Sequence, residues 1–506
     1  MKKRKKQKKL VKYFRINKLK IEVFFTKLII RNQNRNRNKN RNQNQNQNQN
    51  QMEFKNYIKQ AGLDSKQYQQ AGVEWCLERE QSTESYKGGI IADEMGLGKT
   101  IMMIGTMLQN FQMPNLIVLP LVLVEQWKEQ FEKTTGHTPL VYHGASKKEI
   151  NIERLQECPV VLTTYGTMIY DSKTNQKLEQ VSWKRVIFDE AHHLRNKQTK
   201  GFQAAKDLQC DIKWLITGTP IQNHINDLYS LFEILGISNK IYTKTDELRT
   251  LMKTIVLKRT KKEVGIDLPS VHTARICAKW KNSDEQNLTQ TVHNNIGLRP
   301  NMLLAMMLYE RMMCVFPQLL NGGNLKKIQS MGVGTDLGNG IKYHSKMDSV
   351  VNGILERKDN GNRKIIFTNF RGEIDYIQQQ LSAQGMIVEY IDGRVSKRQR
   401  KLILDDVLDV LIIQIKTGNE GLNLQEYNEI YFVTPDWNPQ AEEQAIARCH
   451  RIGQKKEVFV FRFVMDSFDE ENTTTNIEMY SERVQKRKRK ISQDVCEDRV
   501  DDSRCE

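Results

Sequence analysis

Lys99 and Thr100 close the stretch GGIIADEMGLGKT (88–100), where an apolar run enters a glycine-rich turn and then the helical pattern IMMIGTML. A lysine and a hydroxyl at a helix start behind such a turn suit a phosphate group. Backbone N–H groups and the helix dipole favour the anion, the ammonium reaches the outer phosphates and the hydroxyl ligates magnesium. The usual pattern, G-x-x-x-x-G-K-[ST], has glycine where this chain has Asp93. Ninety residues beyond Lys99, RVIFDEAHH ends a second apolar run in two acids. Asp189 there suits a magnesium ligand, and Glu190 suits a group that orients and deprotonates an attacking water. A third run, WLITGTP, ends in Thr217, Gly218, Thr219 and Pro220. In QAIARCHRIGQ (444–454), Arg448 and Arg451 stand three apart, which on a helix puts them on one face. Two guanidinium groups so placed could neutralise charge on a transferred phosphoryl group.

These groups need elements that bring strand ends together. From Met52 to Leu257, short apolar runs (88–92, 116–120, 139–143, 160–165, 185–190, 214–220) alternate with helical patterns such as Leu123–Phe131 and Ile225–Leu235. A second set follows at 364–370, 387–393, 410–416, 429–435 and 458–464. Strand–helix alternation of this length predicts parallel α/β sheets, whose ligands sit at the carboxyl ends of the strands. The expected fold class is α/β, with two parallel-sheet lobes and a helical insertion between them. The expected domains are a disordered tail over 1–51, a first lobe over 52–275, a helical insertion and linker over 276–340, a second lobe over 341–470 and a charged C-terminal tail over 471–506.

Composition narrows the partners. The net charge of +18 is uneven: residues 1–51 hold 17 Lys and Arg against one acid, and the rest of the chain carries only +2. Any basic track in the body must therefore come from local clustering. Residues 32–51 alternate Asn with Arg, Lys or Gln and have nothing to bury. Two readings of 1–51 stay open, a real basic tail adding nonspecific DNA affinity or an extension ahead of a true start at Met52. The eight cysteines are scattered without a C-x-x-C, which argues against zinc modules and a disulfide framework. No apolar run reaches 18 residues, and no small-residue cleavage site follows the segment Ile21–Ile30, so neither a membrane span nor secretion is expected.

Together these motifs resemble the Swi/Snf-type ATPases of helicase superfamily two. QYQQAGVEWCL (67–77), DEMGLGKT, LPLVLVEQW (119–127), LTTYGTM (162–168), DEAHHLRN (189–196) and TGTPIQN (217–223) stand in that family's order. LKRTKKEV…LP (257–269), SKMD (345–348), IIFTNFR (365–371), TGNEGLNL (417–424), PDWNPQ (435–440) and RCHRIGQ follow. DEMGLGKT is the family's own form of the phosphate loop. The resemblance implies two RecA-like lobes, with ATP and Mg2+ as cofactors. Lys99, Glu190, Arg448 and Arg451 are the catalytic residues it implies. Gln69, Asp93, Gly96, Gly98, Lys99, Thr100 and Gln444 bind the nucleotide, with Gln69 against adenine, and Thr100 and Asp189 take the metal.

DEAHHLRN and QAIARCHRIGQ resemble most the repair-associated branch, but with only Cys277 and Cys314 between the lobes its RING insertion is not expected. Thr417 and Asn419 replace the family's usual Ala and Gly, Val122 a serine and Phe316 a histidine. The implied activity is ATP-driven stepping along double-stranded DNA through phosphate-backbone contacts, remodelling or displacing bound protein, nucleosomes included. A strand-separating helicase, a viral transcription-associated ATPase and a non-catalytic DNA-binding scaffold are the alternatives. The expected location is the nucleus, or a viral replication compartment if the source is a large DNA virus.

Overall fold

The computed structural model describes residues 58–59, 62, 66–295, 303–320, 344–415, 422–469 and 475–496, except 85, 175 and 223, and the isolated positions 323, 326 and 328. The expectations for the tail 1–51 and for Thr417 and Asn419 lie outside these residues. The chain divides into two compact units, one over Met1–Gly265 with Val495–Glu506 and one over Ile266–Asp494.

The first unit is built on a seven-stranded sheet in the order β3-β4-β2-β5-β6-β1-β7, with every pairing parallel. Its strands are β1 (Gly88–Ile91), β2 (Asn115–Leu119), β3 (Leu140–Tyr142), β4 (Val160–Thr164), β5 (Trp183–Asp189), β6 (Cys210–Ile216) and β7 (Val256–Leu257). β1, β2 and β4 are buried along their whole length. Strands covered on both faces read as unbroken apolar runs rather than as an alternation. Three helices matter for the site: α1 (Gln67–Gln81), α2 (Lys99–Gln109) and α3 (Val124–Thr135). Their apolar faces share a core with Trp127, Phe131, Ile187 and Trp214.

One buried ion pair crosses that core. Arg185 on β5 donates from Nε and Nη2 to Glu80 at the end of α1, at 2.7 and 2.6 Å, and both side chains are fully buried. Glu80 also accepts from Trp214 Nε1 (2.8 Å) and Asn110 Nδ2 (2.6 Å), while Arg185 Nη1 donates to Asn115 Oδ1 (2.7 Å). A pair satisfied in this way fixes the register of α1 against β5.

The second unit carries a six-stranded parallel sheet in the order β10-β11-β9-β12-β13-β8. It comprises β8 (Val271–Ala278), β9 (Lys364–Thr368), β10 (Val388–Ile391), β11 (Val410–Gln414), β12 (Glu429–Phe432) and β13 (Val458–Met465). β8, unforeseen in the sequence, pairs along all eight residues with β13, so the expected lobe boundary at 275 falls inside a strand. Six of its eight residues are exposed, which left no apolar run to read. The helices Ser283–Asn294 and Leu303–Val315, expected as an insertion between lobes, contribute Val292, Met306, Tyr309 and Met313 to a core within this unit. Three further helices are α4 (Arg371–Ala383), α5 (Pro439–Cys449) and α6 (Ile477–Cys496). Among the described residues, no helix is long and apolar enough to cross a membrane.

Candidate active site

The opening motif folds as its residue types require. Gly96 and Gly98 take φ of +94° and +82°, the left-handed region open to glycine, and the chain then enters α2 at Lys99. A Cβ at Gly98 would collide with Gln69 Nε2, which donates to Leu97 O at 3.2 Å. Gln69 therefore rests on the turn itself. Lys99 Nζ donates back to the carbonyls of Asp93 (2.7 Å) and Glu94 (3.4 Å), so the loop curls around its own ammonium group. The first turn of α2, where Thr100 lies, carries no acid and no side-chain cap. Its N–H groups and dipole stay available to an anion.

Asp93 takes up a different partner from the nucleotide. Its buried carboxylate receives both prongs of Arg259, Nε to Oδ1 at 3.1 Å and Nη2 to Oδ2 at 2.5 Å. Arg259 Nη1 also donates to Tyr68 O (2.6 Å), beside Gln69. The neighbouring Glu94 is held in parallel, accepting from Lys261 N (2.8 Å) and Lys261 Nζ (3.0 Å). The aspartate that departs from the generic loop thus anchors the loop to residues 259–261, and only its carbonyl serves Lys99.

The acid pair sits at the carboxyl end of β5. Asp189 is buried; its Oδ2 accepts from Trp127 Nε1 at 2.7 Å and its Oδ1 from Glu190 N at 3.0 Å. Burial and then the charge of Glu190 push the Asp189 carboxyl up to about 6, with Trp127 and Lys99 among the groups opposing the shift. Glu190 lies at φ +52°, strained for a residue with a Cβ, and its Oε2 stands 3.2 Å from His192 Nδ1. Tyr165 donates its hydroxyl to Asp189 O (2.8 Å), and its ring lies 5.0 Å from that of His193. Burial holds the His193 imidazole down at about 4, so it is neutral at physiological pH.

The end of β6 completes this edge. Thr217 N donates to Ile91 O at 3.0 Å, and a Cβ at Gly218 would lie 3.8 Å from Lys99 Nζ. Thr219 Oγ1 is buried with no hydrogen-bond partner among the described residues. An orphaned hydroxyl, an open helix start and a buried carboxylate form a donor set that suits a metal–triphosphate. Arg195 donates to Gln222 Oε1 and so links the motif after β5 to the motif after β6.

In the second unit α5 carries Gln444 and Arg448, both half-buried and four residues apart. The expected single helical face does not extend to Arg451. α5 ends at Cys449, His450 bonds to Pro269 O at 2.8 Å, and the chain turns through Gly453 at φ +105°. Arg451 lies in that turn, half-buried, and burial and then the Arg448 charge lower its pKa. The arginines are neighbours through a turn rather than through a helix face. Leu424, at the end of the TGNEGLNL motif, donates its N–H to Arg448 O at 3.3 Å.

The structure thus gathers Gln69, Asp93, Gly96, Gly98, Lys99, Thr100, Asp189 and Glu190 in the first unit, and Gln444, Arg448 and Arg451 in the second. Trp127, Tyr165, Arg195 and Arg259 are further site residues that went unsingled in the sequence. Each lies inside a recognised motif, but its role depends on a partner at least 24 positions away.

A phosphate loop and an acid pair on a parallel sheet, followed by a second parallel-sheet unit with paired arginines, define a two-lobed helicase-like nucleotidase. Residues 68–299 match the SNF2-related domain and residues 345–453 the helicase conserved C-terminal domain. The chain therefore carries an SNF2-related domain followed by a helicase conserved C-terminal domain. It is 28% identical over 471 residues to chromodomain-helicase-DNA-binding protein 8 of Danio rerio, a match covering 81% of this chain and 18% of that protein. It is 27% identical over 467 residues to chromodomain-helicase-DNA-binding protein 7 of Homo sapiens, covering 81% and 15%. The chain spans less than a fifth of the length of these relatives. Among solved structures, the Sulfolobus solfataricus SWI2/SNF2 ATPase core in complex with dsDNA is similar at 25% identity, covering 79% of this chain and 88% of that one, with a TM-score of 0.39.

Proposed function

We propose that this protein is a DNA-dependent ATPase that steps along double-stranded DNA and remodels or displaces protein bound to it. The observation that carries the reading is the shared carboxyl edge of β1, β6 and β5, where Lys99, Gly218 and Asp189–Glu190 meet. Lys99 and the N–H groups of α2 hold the phosphates, and Gln69 stands at the adenine side. Thr100 and Asp189 hold Mg2+, which when bound offsets charge on the β- and γ-phosphates. Glu190 orients the attacking water and accepts its proton, and Arg448 and Arg451 neutralise charge on the γ-phosphoryl group. The names of the matched chromodomain relatives support DNA as the partner, and a nuclear location is proposed with it. The likeness to the repair-associated branch and a viral source rest on motif wording and composition alone.

The test is ATP turnover with duplex DNA, single-stranded DNA and nucleosomes across salt, together with a strand-displacement assay. Duplex is expected to stimulate most, without strand separation. Lys99→Ala and Glu190→Gln are expected to lower turnover by at least about 100-fold. Robust unwinding without duplex preference would establish the helicase reading instead. Undiminished turnover in Lys99→Ala would remove the catalytic assignment altogether.

A further inference from the structure

α6 has two faces with different roles. The inward face is fastened along its length. Glu478 receives Lys346 Nζ on both oxygens (2.5 and 2.6 Å), with both side chains buried. One turn on, Ser481 and Gln485 donate to Asp436 O, and Gln485 also donates to Glu442 (2.7 Å). Lys488 then donates to Trp437 O (2.9 Å) and Arg489 to Glu443 (3.1 Å). The helix is thereby laid against the PDWNPQ segment and the start of α5.

The outward face is a row of cations. Arg483, Lys486, Arg487 and Lys490 are all exposed and follow one another at the i, i+3, i+4, i+7 spacing of a single helical stripe. No salt bridge among the described residues engages any of the four. In a body whose charge from residue 52 onward is only +2, four aligned cations are a local excess.

We propose that this stripe binds the phosphate backbone of duplex DNA. It would be a contact surface additional to those that the family motifs supply, and it rests on the duplex reading above. Seven residues of helix span about 10 Å, along which duplex DNA presents roughly six phosphate charges. Each cation thus has an anion within reach. The inward face joins this surface to the helix of Gln444 and Arg448, so DNA held on the stripe is held next to that helix. The same residues fit an import signal less well. A receptor reading KRKRK (486–490) as an extended chain would need all five side chains, and Lys488 and Arg489 are engaged by Trp437 O and Glu443.

The experiment uses the full chain carrying R483Q, K486Q, R487Q and K490Q together, with R483K/R487K as the charge-conserving control. The readouts are duplex affinity across salt, DNA-free ATP turnover and the thermal midpoint. The fourfold variant is expected to keep its DNA-free turnover and midpoint while losing at least about tenfold in duplex affinity near 0.1 M salt. Its log–log salt slope should be shallower by about 2–4, and the control should keep the parent's slope. Unchanged affinity and slope in the fourfold variant overturn the proposal, and lost nuclear accumulation with intact DNA binding does so in favour of an import signal. If the stripe variant shifts the slope but duplex DNA fails to stimulate the parent's turnover, the contact stands and the translocase reading falls.

Discussion

At the scale of single residues, the loop's aspartate is an anchor with a measurable load. Arg259→Gln leaves the Asp93 carboxylate buried without its cation. Urea unfolding is expected to show a loss of about 3–5 kcal/mol, with part recovered when D93N is added. Arg259→Lys keeps the charge but not the two-pronged geometry and should fall between. A second residue gives a pH dependence. Glu373, in the first turn of α4, is fully buried, accepts from Asn369 N at 3.0 Å and is pushed up to about 7 by burial, the largest effect on it. Below its ordinary value of 4.5, it is protonated whether folded or not and costs nothing. As the pH rises to 7 the unfolded chain ionises first, so stability falls by roughly 3 kcal/mol and then levels off. Glu373→Gln should thus be more stable than the parent at pH 8 by up to about 3 kcal/mol, and the gain should shrink by about 2 kcal/mol at pH 5.5. Paired denaturation curves at the two pH values check this.

At the scale of elements, the Glu80–Arg185 pair sets α1, which begins beside Gln69, against β5, which ends in Asp189. Glu80→Gln is expected to cost about 3–5 kcal/mol in denaturant unfolding, because a guanidinium stays buried without its anion. Replacing both residues by methionine should recover most of that loss, and a double-mutant cycle measures it. Lys99, Asp189 and Glu190 were legible because each follows an apolar run within a few residues, so that local order already gives spatial order. Asp93–Arg259 was not, since 166 positions separate partners that neither composition nor periodicity links. β8 was hidden by its exposure, an edge strand with little apolar signal to detect. The end of α5 was hidden because the helical pattern runs on through Arg451, and only the backbone at Gly453 reveals the turn.

At the scale of the whole molecule, charge is divided between a strongly basic first 51 residues and a nearly neutral remainder. Removing residues 1–51 is expected to weaken duplex binding and flatten its salt dependence, while turnover at saturating DNA stays at the parent's rate. Binding isotherms and turnover at several salt concentrations separate the two effects. A different matter is where the chain can be cut. β7 pairs with β1, after which Ala92 N bonds to Leu257 O (2.7 Å) and Glu94 N to Arg259 O (2.9 Å). The exit of the first unit is therefore zipped, residue by residue, to the phosphate loop that lies over 160 positions earlier. A fragment stopped at Ile255 would be missing the strand, the carbonyls and the guanidinium on which that loop is moulded. Expressed alone, the unit needs its sequence through Lys261 to keep a formed nucleotide loop, so the shortest competent fragment is defined by the loop rather than by the last helix.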